Sequence, residues 1–283
     1  MNEKYDFMEG NKMSDYKKQI LSYYEGYTNR VGENNRAKNS RTEGLEFHYT
    51  EKALSEHVTN SCRVLELGCG TGHYGVYLAD KCREYIGIDL FQPHIDIFQR
   101  KIEEQGLDNL SCQVGDATNL VGVEDNSFDV VCCLGPLYHL QAEYRELVVS
   151  ECERVCKPGG VIFFAYINKI GVYVGACVHD KLREIYPNKK ANDTVLALGV
   201  SDEEASPFYF TTPEEMEAVA VRHKLSKIRN MGTDFFITMS VVDNMDDERF
   251  KMFMELSDEM VNHESCTGMS NHALLICRKE GAR

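Results

Sequence analysis

Tryptophan is absent from this chain of 283 residues, proline occurs only six times, and 31 basic side chains face 45 acidic ones. The missing tryptophan excludes little, because an apolar fraction of 43% is enough for a compact core. No repeat, low-complexity tract or Pro/Ser linker divides the sequence, so one domain with additions is expected. The net charge of −14 speaks against a DNA or RNA substrate, which calls for a basic footprint. Lys17-Lys18 and Lys189-Lys190 are isolated pairs and read as solvated. No apolar run reaches spanning length, and Met1–Asp6 lacks the apolar stretch of a signal peptide, so no membrane contact is expected. The 11 cysteines show no disulfide-like spacing and fit a reducing cytoplasm. Cys132, Cys133, Cys152 and Cys277 fall inside expected strands or helices, where cysteine behaves as a small apolar residue. Cys152 and Cys156 stand one helical turn apart, but no third ligand follows at a useful spacing, so no metal site is expected.

What the chain does have is concentrated in residues 64–75. An apolar run ends in Glu66 and breaks into Gly68, Gly70 and Gly72. This pattern predicts a buried strand turning sharply into a helix that starts near His73. Glycine is required where the backbone takes up φ > 0 and a ligand must approach without a Cβ in the way. The helix N-terminus offers unpaired N–H groups to an anionic or carboxylate-bearing ligand. Gly70–Gly75 also fits G-x-G-x-x-G, the dinucleotide fingerprint, and Asp89 follows about 17 residues later as a candidate ribose partner.

The wider string, acid-x-Gly-x-Gly-x-Gly, resembles the first motif of class I S-adenosylmethionine-dependent methyltransferases. More specifically, the chain resembles a bacterial small-molecule subgroup of that class. The resemblance implies that Glu66 meets the cofactor's ammonium and that Gly68, Cys69, Gly70 and Gly72 form the loop around it. Further landmarks follow in order. Tyr85–Leu90 is similar to the second strand, with Asp89 on the ribose and Leu90 against adenine. Gln113–Ala117 is similar to the third strand and its loop, bringing Asp116 and Ala117 to adenine. Phe128–Leu134 resembles the fourth strand, running to the methionine end, and Glu153–Gly160 the turn before the fifth. The implied fold is a doubly wound α/β domain. It has a mostly parallel seven-stranded sheet, helices on both faces, a C-terminal antiparallel hairpin, a helical N-terminal extension and an inserted lid.

Along the chain, residues 1–283 read as one domain, with a helical N-terminal cap over 1–60 and a cofactor-binding core over 61–168. A lid insertion over 169–208 and the C-terminal part of the sheet over 209–283 complete it. Tyr16, Ile20, Leu21, Tyr24 and Tyr27 recur at near-helical spacing, a polar break covers 30–41, and a helix is expected from Thr50 to Val58. Tyr144, Leu147, Val148 and Val155 mark one helix face, and Val161–Tyr166 reads as the fifth strand. The insertion holds Tyr173, His179, Tyr186 and Phe208. Thr212-Pro213-Glu214-Glu215 is a helix start with a capping box. Phe235–Val241 is expected to be a strand, Asp246–Val261 a helix and His272–Arg278 the last strand.

Methyl transfer displaces a sulfonium in line, so much of the acceleration comes from alignment and exclusion of water. In open α/β sheets the acceptor approaches the carboxyl ends of the central strands. Tyr138 and His139, in the string Gly135–Leu140, are therefore the candidate acceptor-side residues. His139 is read as a general base or an orienting group, since imidazole titrates near neutral pH. Asn168 is a further pocket-edge candidate, and Tyr24, Tyr27, Glu46 and His48 of the N-terminal segment are candidates to close over the cofactor. Ser270-Asn271-His272 resembles a recurring element of the same subgroup and reads as a turn without an assigned role. The expected activity is methyl transfer from S-adenosylmethionine to a small-molecule acceptor, in the cytoplasm. The competing readings are a non-catalytic, regulatory S-adenosylmethionine-binding protein and an NAD(P)-dependent oxidoreductase.

Overall fold

Short β-branched and apolar runs alternate with amphipathic segments from Arg63 onward, and most of these runs become strands. The computed structural model describes residues 16–26, 34, 36–171, 189–200, 207–234 and 239–281. Seven strands form one sheet: β1 (Arg63–Leu67), β2 (Glu84–Asp89), β3 (Leu110–Val114), β4 (Phe128–Cys133), β5 (Cys156–Ile167), β6 (Leu225–Gly232) and β7 (His272–Lys279). Their order is β3-β2-β1-β4-β5-β7-β6. The first five pair in parallel, while β7 runs antiparallel to both β5 and β6. The chain reverses its direction of winding between β1 and β4, which opens a crevice at their carboxyl ends.

The register aligns those ends. Leu67 faces Ile88 on one side and Cys133 on the other, so the loops after β1, β2 and β4 emerge together. Alternation along each strand separates two apolar layers. Val64 and Cys132 join one core with Tyr49, Leu54, Leu78, Tyr85 and Phe98. Leu65 and Cys133 join the other with Val131, Val148, Ile162 and Phe164.

Helices cover both layers. Residues 16–26 form α1, and α2 runs over Arg41–Ser55 behind Ser40, whose hydroxyl accepts the Glu43 N–H. The sheet crossovers are α3 (His73–Leu78), α4 (Gln92–Gln105) and α5 (Ala142–Val155). The helix α6 (Pro213–Arg222) carries the expected capping box, and α7 (Asp247–Met260) is capped by Asp246. No helix among the described residues is long and apolar enough to cross a membrane.

Several boundaries differ from the sequence reading. The helix expected from Thr50 starts at Arg41, because Ser40 caps it and Leu45, Phe47 and Tyr49 already face the core. Part of the anticipated polar break is itself helical, over Arg36–Asn39. Strand β5 begins at Cys156, ahead of Val161, and Leu147 is exposed. Of the strand expected over Phe235–Val241, residues 235–238 lie outside the described residues and Met239–Val242 is helical, while the strand at the sheet edge is β6, earlier in the chain. As a sheet edge, β6 exposes Ser226 and Lys227, and a polar edge hides its period from a search for apolar runs. Tyr27, Tyr173, His179 and Tyr186 lie outside the described residues.

A candidate cofactor cleft at the carboxyl edge of the sheet

The turn after β1 is built from three left-handed glycines: Gly68 (φ 73°), Gly70 (φ 51°) and Gly72 (φ 81°). A Cβ on Gly68 would stand 2.7 Å from Pro136 Cδ, so this glycine lets the loops after β1 and β4 touch. On Gly72 it would stand 2.0 Å from the Phe98 ring, which makes that residue a packing requirement. On Gly70 it would meet nothing within 4 Å. Gly70 thus turns its bare face toward open space.

That space is a cavity of about 1200 Å³, counting its open mouth. Of the residues singled out from the sequence, Glu66, Gly68, Cys69, Gly70, Asp89 and Leu90 line it. So do Asp116, Ala117, Leu134, Tyr138 and His139. Gly72 does not, since its open side is filled by Phe98. Tyr24 and Glu46 also line the cavity, whereas His48 is exposed elsewhere on α2. Asn168 is fully buried and spends its amide on the carbonyls of Ser270 and Gly268, away from the cavity.

The acids differ in charge state. Glu66 is 2% exposed and accepts a hydrogen bond from the Tyr85 hydroxyl. Burial, reinforced by the nearby Asp89 charge, pushes its carboxyl up to about 8 against the pull of Tyr85. Burial likewise pushes the Cys69 thiol up, so that side chain serves by its size. Asp89 accepts from Gly70 N–H at 2.9 Å and from Phe91 N–H at 2.8 Å. It therefore pins the glycine loop to the start of α4, with one lone pair on each oxygen left for a ligand. Asp116 accepts from the Thr118 N–H and hydroxyl and pairs with Lys17 of α1 at 2.6 Å. Burial would raise Asp116, but the Lys17 and Thr118 donors hold it below its usual range.

His139 is 5% exposed and is gripped from both sides. Its Nδ1 lies 3.0 Å from the Pro207 carbonyl, which can only accept, so Nδ1 carries the proton. Nε2 then accepts from the Tyr24 hydroxyl at 2.8 Å. Burial pushes this imidazole down to about 4 despite the Pro207 contact. The near-neutral titration expected from sequence is therefore overturned: His139 stands as a neutral, oriented hydrogen-bond acceptor at pH 7.

Sequence reasoning missed Arg36, the one guanidinium or ammonium side chain among the described residues lining the cavity. It reaches Glu46 at 3.2 Å and lies over the Phe47 ring at 4.9 Å. A solitary arginine in a polar stretch carries no periodic or motif signal, so only the folded arrangement brings it forward.

With this geometry in hand, comparisons with known proteins are informative. Residues 64–160 match the family described as "Methyltransferase domain". The ubiquinone biosynthesis O-methyltransferase of Azoarcus sp. strain BH72 is 32% identical over 107 residues, covering 38% of this chain and 45% of that protein. The chain thus spans less than half the length of the curated relatives it matches. A S-adenosylmethionine-dependent methyltransferase from Methanosarcina mazei superposes with a TM-score of 0.55 at 15% identity, over 81% of this chain and 98% of that one. The geranyl diphosphate C-methyltransferase of Streptomyces coelicolor gives 0.54 at 13% identity, over 82% and 78%. At these identities the solved structures speak to the fold. Residues 64–160 thus match a methyltransferase domain, and their motif and sheet order are similar to those of the class I S-adenosylmethionine-dependent methyltransferases.

Proposed function

We propose that this chain transfers the methyl group of S-adenosylmethionine to a small-molecule acceptor by in-line displacement. The observation that carries this reading is the pairing of a buried acid, Glu66, with the open face of Gly70 and the loop-pinning Asp89 on one cavity wall. A buried carboxylate is costly unless a cation meets it. The cofactor's ammonium fits that need, whereas a nicotinamide dinucleotide offers Glu66 nothing. In this reading the backbone of Gly68, Cys69 and Gly70 follows the cofactor, with Leu134 beside its methionine end. Asp89 accepts from the ribose hydroxyls, and Leu90, Asp116 and Ala117 form the adenine wall. Arg36 takes the carboxylate of the amino-acid head, as the lone fixed cation on the described lining. When bound, the cofactor supplies a methyl group already activated on a sulfonium sulfur.

Tyr138 and His139 form the acceptor wall, beyond the end of β4. Neutral and held at both nitrogens, His139 orients Tyr24 or the acceptor and does not store a proton. The acidic balance favours a small acceptor in a cytoplasmic setting over nucleic acid. The chain is read as one methyltransferase domain, with a cap over 1–60, core over 61–168, lid over 169–208 and sheet completion over 209–283.

Calorimetry with S-adenosylhomocysteine and with NAD tests the cofactor. Binding of the dinucleotide alone overturns the proposal. Release of demethylated cofactor is then followed across oxygen, nitrogen, sulfur and carbon acceptors, starting with phenols because the curated relative is named an O-methyltransferase. Cofactor binding without turnover on any of them favours the regulatory reading.

A further inference from the structure

The Ser270-Asn271-His272 string encloses a buried carboxylate. Asp234 is 3% exposed and accepts from Ser270 Oγ at 2.7 Å, Asn271 N–H at 2.9 Å, His272 N–H at 3.0 Å and His272 Nδ1–H at 2.6 Å. Ser270 Oγ itself accepts the Thr233 and Asp234 N–H groups. The imidazole is thereby fixed at the start of β7, beside the carboxyl end of β5, where Ile167 is its register partner. From there Nδ1 lies 3.9 Å from Glu46 Oε2, and Glu46 holds Arg36 at 3.2 Å. Charges thus alternate in a row, Asp234, His272, Glu46 and Arg36, from behind the sheet edge to the cavity wall. Burial would lower His272, but the Glu46 and Asp234 carboxylates push it up to about 9 and keep it cationic at pH 7.

This row is more than a turn requires. Asp234 needs only the backbone and hydroxyl donors to close the loop, yet the imidazole extends the network to a carboxylate on another element. Glu46 sits beside the place where Arg36 would receive a second carboxylate. Two neighbouring carboxylates served by one guanidinium repel each other, and a second cation removes that conflict. We propose that His272, seated by Asp234, is a positioning residue that neutralises Glu46 and so leaves Arg36 able to grip a carboxylate in the cleft. The inference rests on the cofactor reading above and identifies that carboxylate with the amino-acid head of the cofactor.

The test compares two probes, S-adenosylhomocysteine and 5′-methylthioadenosine, which shares the adenosine and thioether but lacks the amino acid. Wild-type binding of neither probe brings down the cofactor reading, and this inference with it. With wild-type binding established, His272→Gln is expected to weaken S-adenosylhomocysteine about five- to tenfold, as for one unit charge several ångströms away at intermediate dielectric. Methylthioadenosine affinity should not change. His272→Lys, which restores a cation without the imidazole shape, should recover most of the loss. In a Glu46→Gln background the His272→Gln effect should vanish, because the charge to be neutralised is gone. Equal losses for both probes, an unchanged ratio, or an effect that persists without Glu46 would each overturn the assignment. Glu46→Gln alone leaves the Asp234–His272 pair intact and serves if His272→Gln does not fold. It should leave S-adenosylhomocysteine affinity unchanged or raise it without moving methylthioadenosine, and a loss of S-adenosylhomocysteine affinity would overturn the assignment.

Discussion

Glu66→Gln is the sharpest perturbation the cleft offers, because it removes one ionisation and almost no volume. In the ligand-free protein burial holds the carboxyl at about 8, against an ordinary value of 4.5. At pH 7 roughly nine of ten molecules therefore carry a neutral Glu66. An ammonium docking beside it requires the carboxylate, so binding should release about 0.9 proton per site at pH 7. Wild-type affinity for S-adenosylhomocysteine should then rise about tenfold per pH unit from 6 to 8 and level off above. Ionising the acid costs about 1.4 kcal/mol for each unit below its pKa, or ~2.7 kcal/mol at pH 6. That is close to the ~1.5–3 kcal/mol expected of a charged hydrogen bond. Glu66→Gln should therefore bind nearly as well as wild type at pH 6 and tenfold or more worse at pH 8. Calorimetry in phosphate and in Tris measures the proton count directly. The same linkage governs stability. The raised folded pKa contributes stability below about pH 4.5 that is lost as pH rises through 8, so ligand-free Glu66→Gln should gain on wild type in Tm between pH 5 and pH 9. A wild-type proton count of zero, or an equal count in the variant, would refute the argument.

Asp89→Asn should weaken S-adenosylhomocysteine by about 1.5–3 kcal/mol by calorimetry, and Asp89→Ala by more, since it also frees the Gly70 and Phe91 N–H groups. The two outer glycines should separate in their effects. Gly72→Ala drives a Cβ into Phe98 and should cost ~1–3 kcal/mol or more in denaturant unfolding. Gly70→Ala meets no protein atom, so beyond ~1–2 kcal/mol of left-handed strain its main loss should be in cofactor affinity. His139→Ala should slow turnover on an identified acceptor while leaving cofactor affinity nearly intact, and equal losses in both would assign it to bracing α1 through Tyr24.

The centre of the sheet was legible because β1 and β4 are buried on both faces and read as short apolar runs, Val64-Leu65 and Val130-Val131. The α6 and α7 starts were legible because capping is local chemistry, carried by Thr212 with Glu215 and by Asp246. The edge strand β6 was not, because solvent lets Ser226 and Lys227 interrupt its pattern. Helix α2 was half-read for a similar reason. Its first turns bury Leu45, Phe47 and Tyr49 among polar neighbours, and only packing distinguishes them.

By itself the sequence determined the strand-turn-helix at residues 64–75, the spacing of its acids and glycines, and the order of elements that follow. These are short-range matters, settled by φ, burial and helix period. Tertiary structure alone decided which charges stand together and in what state. His139 is neutral because the fold buries it, and its tautomer is set by Tyr24 and Pro207, 115 and 68 residues away. Asp234, His272, Glu46 and Arg36 form one row because β7 returns beside β5 under α2. Ionisation depends on the desolvation and fields of neighbours that are remote along the chain, and those neighbours exist only once it has folded.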